Sequence, residues 1–445
     1  MKLLYFLFIV LLLSACSNRE LAYKQKNTAK ESINAQKEIL DLTSIPQAAD
    51  FYTKDINKDK LTNQNFLEHY FSAWNIDNVS IDIQEAKWAH NVYKYGDSYA
   101  ENLRLIEEVF FDEMLHNANF EEYATVNKKA VTVNLLNIRA FPTNRPVLRD
   151  PQKAGEGFPF DYMQNSTVAA NKPIIVSHYS KDREWAFIQT GFAFGWVKAK
   201  DIVYIPKKYI DEWKKAEQII LTQEGIPLFS QKGEFLFKSR IGMLLALISE
   251  DSESYTVLTV QNKKDSKAYY QPSKILKKYA HKGPLAFNAN NINKIIKELQ
   301  KSNYGWGGLY GQRDCSSTLR DFYLPFGLWL PRNSFMQANQ GSSISLEDLN
   351  DKEKIETIKK NGIPFETLLY KQGHIVLYAG TFKDEVVVFQ NVWGVKTNIN
   401  GKEGRHIIGK TIFSGLEVGN NLKNYDREAS LLVKMKSMSF PTLEN

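Results

Sequence analysis

Tyr304-Gly-Trp-Gly-Gly-Leu-Tyr-Gly-Gln-Arg-Asp-Cys-Ser-Ser317 runs from a glycine-rich, aromatic-studded loop into the start of a helix. Asp314 and the serines after Cys315 are helix-opening residues, and Pro325 is a stop, so the pattern predicts a helix that starts at or just before Cys315 and ends before Pro325. Cys315 then sits at a helix N-terminus, where unpaired N–H groups and the positive end of the dipole favour a thiolate. Gly305, Gly307, Gly308 and Gly311 are expected to let the backbone pass close to the sulfur and to whatever it attacks. Cys315 is the candidate nucleophile.

The chain of 445 residues has one other cysteine, Cys16. It ends Leu-Ser-Ala-Cys, after Met1-Lys2 and an apolar run from Leu3 to Leu13, which is the layout of a secretory signal. That run falls short of the roughly 20 residues a membrane span needs. A cysteine at the cleavage point resembles the lipobox of bacterial lipoproteins, which implies lipidation of Cys16 and a membrane anchor. Cys315 is then the sole thiol of an exported chain, and a leftover cysteine there reads as reactive. Ser17 after the lipobox resembles an outer-membrane sorting signal, which implies a location facing the periplasm.

Two further stretches join the cysteine loop, Gly373-His374-Ile-Val-Leu-Tyr378-Ala-Gly380 and Phe389-Gln390-Asn391-Val-Trp393-Gly394. Together the three resemble the nucleophile, histidine and third-residue motifs of the NlpC-type cell-wall cysteine peptidases, which are papain-like. The resemblance covers the last 165 or so residues of the chain. It implies a catalytic triad of Cys315, His374 and Gln390, at a position where this branch of the family usually has histidine. It also implies a peptidoglycan or muropeptide substrate, and in the SH3-bearing branch a cut between D-γ-glutamate and the diamino acid of the stem peptide.

Composition agrees with a folded, multidomain chain: 43% of residues are hydrophobic and 13% aromatic. The net charge of +7 is scattered rather than gathered into a stripe, which argues against nucleic-acid binding. His69, His90 and His116 lack metal-ligand spacing, so no metal or other cofactor is expected. A monomer is expected.

In order, residues 1–16 read as the signal and 17–45 as a polar tether. Residues 46–130 read as helical, from the spacing of Leu61, Phe66, Tyr70 and Trp74 and of Leu103, Ile106, Phe110 and Leu115 within Ser98–His116. That block resembles the family's N-terminal stabilising domain. From Val131 the period changes to short β-rich runs between Gly, Pro, Asn and Asp turns. Residues 131–205 resemble a first bacterial SH3 domain, through Arg139-Ala-Phe-Pro-Thr143, Phe160-Asp161-Tyr162 and Gly195-Trp196-Val197, and 206–280 read as a second SH3-like barrel. Residues 281–445 read as an α+β catalytic domain, with a lead-in helix over Ile292–Gln300 and strands at Gly373–Ala379, Glu385–Asn391 and Arg405–Gly409. The expected architecture is thus α+β and multidomain.

The chemistry that suits these residues is attack by the thiol on an amide carbonyl, proton transfer through an imidazole, and hydrolysis of a thioester. His374 is the domain's candidate base, because His281 lies in a Lys-rich turn and His406 on a distal strand. Strand alternation sends Gln390 and Asn391 to opposite faces, so only one of them can orient the imidazole. Tyr304 is a candidate donor to the oxyanion. Asp314 reads both as the helix cap and, by the resemblance, as the acceptor of a free α-amino group, with Ser316 in the same pocket. By the resemblance, Tyr162 and Asp161 border the groove from the first SH3 domain. Arg332 and Ser334 read equally as loop packing or as site residues, and Trp306 and Trp393 as core. Two other classes stay open: a non-catalytic peptidoglycan-binding lipoprotein, and an acyl or amide transferase on the same fold.

Overall fold

The structure is a computed structural model that describes residues 39–61, 65–262 and 268–443. Cys16, the signal and most of the expected tether lie outside the described residues. The last of that tether is docked: Ile39 is fully buried, and Asp41 accepts hydrogen bonds from the Gly415 and Gly419 N–H groups. Gln47 binds both the N–H and the carbonyl of Phe413. The chain therefore meets its C-terminal third before it builds anything else.

Residues 46–127 form short helices of four or five residues, such as Phe66–Tyr70 and Trp88–Val92, and one of ten, α1 (Glu108–Asn117). The helix expected over Ser98–His116 is thus half the anticipated length. Tyr99 instead bridges Leu105 and Leu148, and Leu103 takes a positive φ of 63°. Of the spaced apolar residues only Ile106 and Phe110 are buried, while Leu103 and Leu115 are exposed, so the spacing did not mark one continuous helix face.

Seven strands follow: β1 (Lys128–Thr132), β2 (Leu136–Arg139), β3 (Gln164–Val168), β4 (Pro173–Tyr179), β5 (Trp185–Gln189), β6 (Phe194–Lys198) and β7 (Ile202–Tyr204). They pair in the order β3-β2-β6-β5-β4-β1-β7, with every resolved pairing antiparallel. Ile138, Val176, Ala186 and Val197, on strands buried along most of their length, supply the small core that such a sheet needs.

Helix α2 (Lys207–Lys215) tucks Ile210 and Trp213 inward and leads to a second sheet. Its strands are β8 (Gln218–Leu221), β11 (Leu244–Glu250), β12 (Ser254–Asn262), β13 (Ala268–Leu276) and β14 (Ala280–Lys282), in the order β13-β12-β11-β8-β14. The hairpin of β9 (Pro227–Phe229) and β10 (Phe235–Lys238) lies beside it.

The third unit is α+β. It holds α3 (Ala289–Leu299), α4 (Cys315–Tyr323), α5 (Ser334–Ala338) and α6 (Asp351–Asn361). Its sheet contains β15 (Ser342–Ser345), β16 (Leu368–Lys371), β17 (His374–Phe382), β18 (Glu385–Ile399), β19 (Lys402–Ser414) and β20 (Met435–Phe440), ordered β15-β20-β16-β17-β18-β19. The β17 to β19 strands are longer than the sequence suggested, and β15, β16 and β20 were not anticipated. α3 and α4 bury Ile292, Ile295, Ile296, Leu299, Leu319 and Phe322 against Ile375, Leu377, Val387, Phe389 and Phe413 of the sheet. That core fixes helix α4 across the first turn of β17.

Candidate active site

α4 begins where Asp314 closes a capping box: its Oδ1 accepts from the Ser317 N–H at 2.9 Å, and Ser317 Oγ accepts from the Asp314 N–H at 2.9 Å. Cys315 is the first helical residue and is 8% exposed. The N–H groups of Ile375 and Ser316 point at its sulfur, which places the thiol against the first residues of β17. β17 itself opens at a tight turn, Lys371 pairing with His374 across Gln372-Gly373, with Gly373 at φ 78°.

His374 Nε2 lies 2.8 Å from Gln390 Oε1. Gln390 Nε2 donates to Ser414 Oγ at 2.7 Å, and Ser414 donates its own proton to the Gly415 carbonyl at 3.0 Å. The order of donors runs one way. Because the Ser414 hydroxyl spends its proton on a carbonyl, it must accept from the amide nitrogen. Gln390 Oε1 therefore faces the ring, and Nε2 of His374 carries the proton. Nδ1 is left with its lone pair, which is the tautomer of a base. Asn391 points the other way, its amide donating to the Arg313 carbonyl at 2.9 Å and to Thr318 Oγ1 at 3.2 Å.

The electrostatics overturn the expectation of a resting thiolate. Burial, helped by the Asp314 carboxylate, pushes the Cys315 thiol up to about 12, against the N–H groups and Arg332 that work the other way. Burial also lowers His374 to about 4. The helix N-terminus loses because desolvation of a charge costs more than two N–H groups return. Thiol and imidazole are both neutral at rest.

Asp314 also departs from expectation. Its oxygens accept from Arg332 at 2.7 and 3.2 Å, from the Gly307 N–H at 3.2 Å, and from Ser316 Oγ at 3.4 Å, besides the cap. Burial would raise this carboxyl, but the Arg332 charge and the hydrogen bonds hold it below the usual range. Its charge is already matched by Arg332, so an α-amino group reaching it would share the carboxylate with that guanidinium. Arg332 also donates to Ser316 Oγ at 2.9 Å and to Ser166 Oγ of β3 at 2.7 Å. It is more than loop packing: it staples the first SH3-like sheet to the start of α4.

The glycines serve a different approach from the one expected. A Cβ on Gly307 would stand 2.1 Å from the Gln164 carbonyl, and one on Gly308 2.6 Å from Thr167 Oγ1. Both have positive φ, 58° and 85°. The loop must be thin because β3 lies against it, and Gln164 Nε2 donates to the Gly307 carbonyl at 3.1 Å.

A groove of about 710 Å³ runs over Cys315, lined from the cysteine loop by Tyr304 and Trp306, from the first sheet by Tyr162, Asn165 and Phe194, and from the N-terminal region by Glu85 and Trp88. Trp306 and Trp393 are only partly buried and wall the site with Tyr304 and Phe160, rather than sitting in the core. Tyr304 stays a phenol, its ionisation suppressed by burial and by Cys315 and Asp314 nearby. Asp161 is no groove contact: it is buried in an ion pair with Arg139 at 2.6 Å.

Residues 5–123 match the family model of the NLPC_P60 stabilising domain, 146–198 that of the SH3b1-type SH3 domain, and 207–252 that of the SH3b2-type SH3 domain. A solved structure described as a novel NlpC/P60 endopeptidase from Photobacterium damselae subsp. piscicida superposes with a TM-score of 0.77 over 90% of this chain and 98% of that one, at 24% identity. The chain has the NlpC/P60 fold and domain make-up. An NlpC/P60 family protein from Bacillus cereus is also similar, with 16% identity, a TM-score of 0.44, and coverage of 62% of this chain and 81% of that one. No curated protein matches the chain in sequence.

Within this NlpC/P60 fold, one site residue and one pairing escaped the sequence reading. Ser414 ends a strand 24 residues beyond Gln390, and nothing local marks it. The pairing of Arg332 with Asp314 was foreshadowed only by a buried-type acid beside the nucleophile, which needs a cation somewhere.

Proposed function

We propose that this chain is a peptidoglycan hydrolase that cuts stem-peptide amides with Cys315 as nucleophile and His374 as base. The observation that carries the reading is the one-directional chain Gly415–Ser414–Gln390–His374, which leaves the Nδ1 lone pair free on the residue next to Ile375, whose N–H points at the Cys315 sulfur. As the scissile carbonyl approaches Cys315, Nδ1 takes the thiol proton while the C–S bond forms, so charge develops only with substrate in place. In this reading the Cys315 N–H and the Tyr304 hydroxyl, which lines the groove, serve the oxyanion. The imidazolium returns its proton to the leaving amine, and water then opens the thioester. Gln390 orients the ring without lending it charge.

A groove of about 710 Å³ suits a short peptide rather than a folded chain. The bond in this reading is that between D-γ-glutamate and the diamino acid. Incubating the purified chain with sacculi and with isolated muropeptides, and weighing the products, tests it: new free amines on the diamino acid are expected, and unchanged muropeptides would overturn it. The envelope location rests on Cys16, and Cys16→Ser should leave the protein unlabelled by lipid and released from membranes.

A further inference from the structure

On the far side of Phe192 from the groove lies a second cavity, of about 30 Å³, lined among others by Tyr70, Thr167, Lys172, Arg240, Arg320 and Asp321. The N-terminal region, both SH3-like sheets and helix α4 all meet here. Four cations, Lys172, Arg240, Arg313 and Arg320, gather around two carboxylates, Asp321 and Glu224. Asp321 takes Arg313 at 2.8 Å, Arg240 at 3.2 Å and Arg320 at 3.3 Å, and Glu224 takes Arg313 at 2.7 Å. The neighbouring acids are already spent, Glu298 on Lys301 and Asp314 on Arg332. With all four cations charged, two positive charges are in excess at a buried site.

Two donors at this cavity also lack an acceptor. Lys172 is 8% exposed, and its ammonium makes no hydrogen bond or ion pair among the described residues; it lies 3.1 Å from the centre of the Tyr70 ring. Arg320 Nε is buried without a partner, its guanidinium stacked 3.7 Å from the Phe192 ring centre. A buried cation with no counter-charge is costly, and structures place a partner there.

We infer that this cavity is a binding site for a single small anion, of the size and charge of chloride, held by Lys172 and Arg320. The volume admits one monoatomic ion or one water and is too small for phosphate or a carboxylate-bearing peptide. A chloride supplies the missing acceptor to both donors and halves the excess charge. It thereby holds the first sheet, through Lys172, against the helix that carries Cys315, and so keeps the groove walls in register. Without it, burial and the Arg320 charge strip the proton from Lys172.

The test uses the purified chain and sodium chloride against sodium gluconate at matched ionic strength, gluconate being too large for the cavity. The melting temperature should rise by several degrees with chloride and then saturate, as binding to the folded state alone requires. In Lys172→Met the chloride-dependent rise should vanish, whatever that variant's absolute stability; Lys172→Gln stands in if the Met variant fails to fold. A bromide-soaked crystal should show an anomalous peak between Lys172 and Arg320. Equal melting in both salts, a chloride response that survives in the Lys172 variant, or a cavity holding only water would each overturn the site. The readout is stability, so it stands or falls separately from hydrolysis.

Discussion

Helix α4 carries a polar network at each end, and the two are built on different physics. At its N-terminus, Cys315 lies against the start of β17, whose His374 is linked to Gln390 and Ser414 by directional hydrogen bonds, all four uncharged at neutral pH. Toward its C-terminus, Asp321 is clasped by Arg313, Arg240 and Arg320, all largely shielded from solvent. The first network has to change charge during a reaction, so its groups rest neutral and are oriented by amides and hydroxyls. The second has to hold the SH3b2 sheet, through Arg240, to the catalytic unit, and fixed charges buried in low dielectric do that well. Asp314 and Arg332 sit between them and belong to the second kind, although they touch the first.

The comparison breaks most visibly at the neutral end. Cys315→Ala and His374→Ala should each remove about 10⁴-fold or more of the rate, with unchanged circular dichroism, and the double variant should be no worse than either single one. Near-normal turnover by Cys315→Ala, read by mass analysis of released muropeptides, would remove the basis of the catalytic reading.

At the charged end the expected loss is in stability. Asp321→Ala leaves three arginines facing one another in a site where the aspartate is 1% exposed. Breaking a buried pair in this way costs about 3–5 kcal/mol. Denaturant midpoints should fall accordingly, while kcat of the folded fraction changes far less than in Cys315→Ala. A small stability change would mean that water reaches this network.

The buried histidines and Asp321 also differ in how they answer acid. Burial lowers His374, His178 and His90 each to about 4, from an ordinary value near 6.5. Their folded state binds fewer protons than the unfolded one between those values, so stability is full above about pH 6.5 and falls as pH drops toward 4. Each such shift is worth roughly 3 kcal/mol at most. Asp321, which Arg313 and its neighbours outweigh burial to lower to about 2, adds its loss only below about pH 4. His90→Phe, replacing a ring already stacked on Phe141, should flatten the first limb and leave the second unchanged. An unaltered slope would place the acid sensitivity elsewhere.

How much of this was legible follows from which interactions are local. The α4 boundary, its cap and the strand positions of His374 and Gln390 lie within a few residues of their own signals, in Asp314 to Ser317, Pro325 and the alternation around Phe389. The choice between Gln390 and Asn391 was open because alternation says that two neighbours diverge, not which one faces the ring. Arg240 and Asp321 are 81 residues apart and meet only through domain packing, so nothing near either residue announces the pair. Gly307 and Gly308 were correctly marked as close-approach positions, but the partner was a strand more than a hundred residues earlier. The thiolate was misjudged because a helix N-terminus is a local feature, whereas desolvation depends on everything packed around it.

Ser414 gives the smallest effect and the sharpest separation of the two networks. It is fully buried, touches no substrate-facing atom, and acts only by telling the Gln390 amide which way to lie. In Ser414→Ala the amide loses its acceptor and can turn, presenting N–H₂ to Nε2 of His374; the ring then favours the Nδ1–H tautomer, which cannot take the thiol proton. Losing one such neutral hydrogen bond is worth about 1 kcal/mol, so kcat should fall roughly fivefold while KM stays put. Ser414→Thr, which keeps the hydroxyl, should restore most of the rate if the added methyl is accommodated. A merely structural serine would lower thermal stability without altering kcat of the folded enzyme, and would not distinguish Ala from Thr by rate. Imidazole ¹⁵N shifts of His374 read the tautomer directly: a parent ring protonated on Nε2 and an Ala variant showing a mixture would tie the serine to the base, and identical spectra would cut that tie.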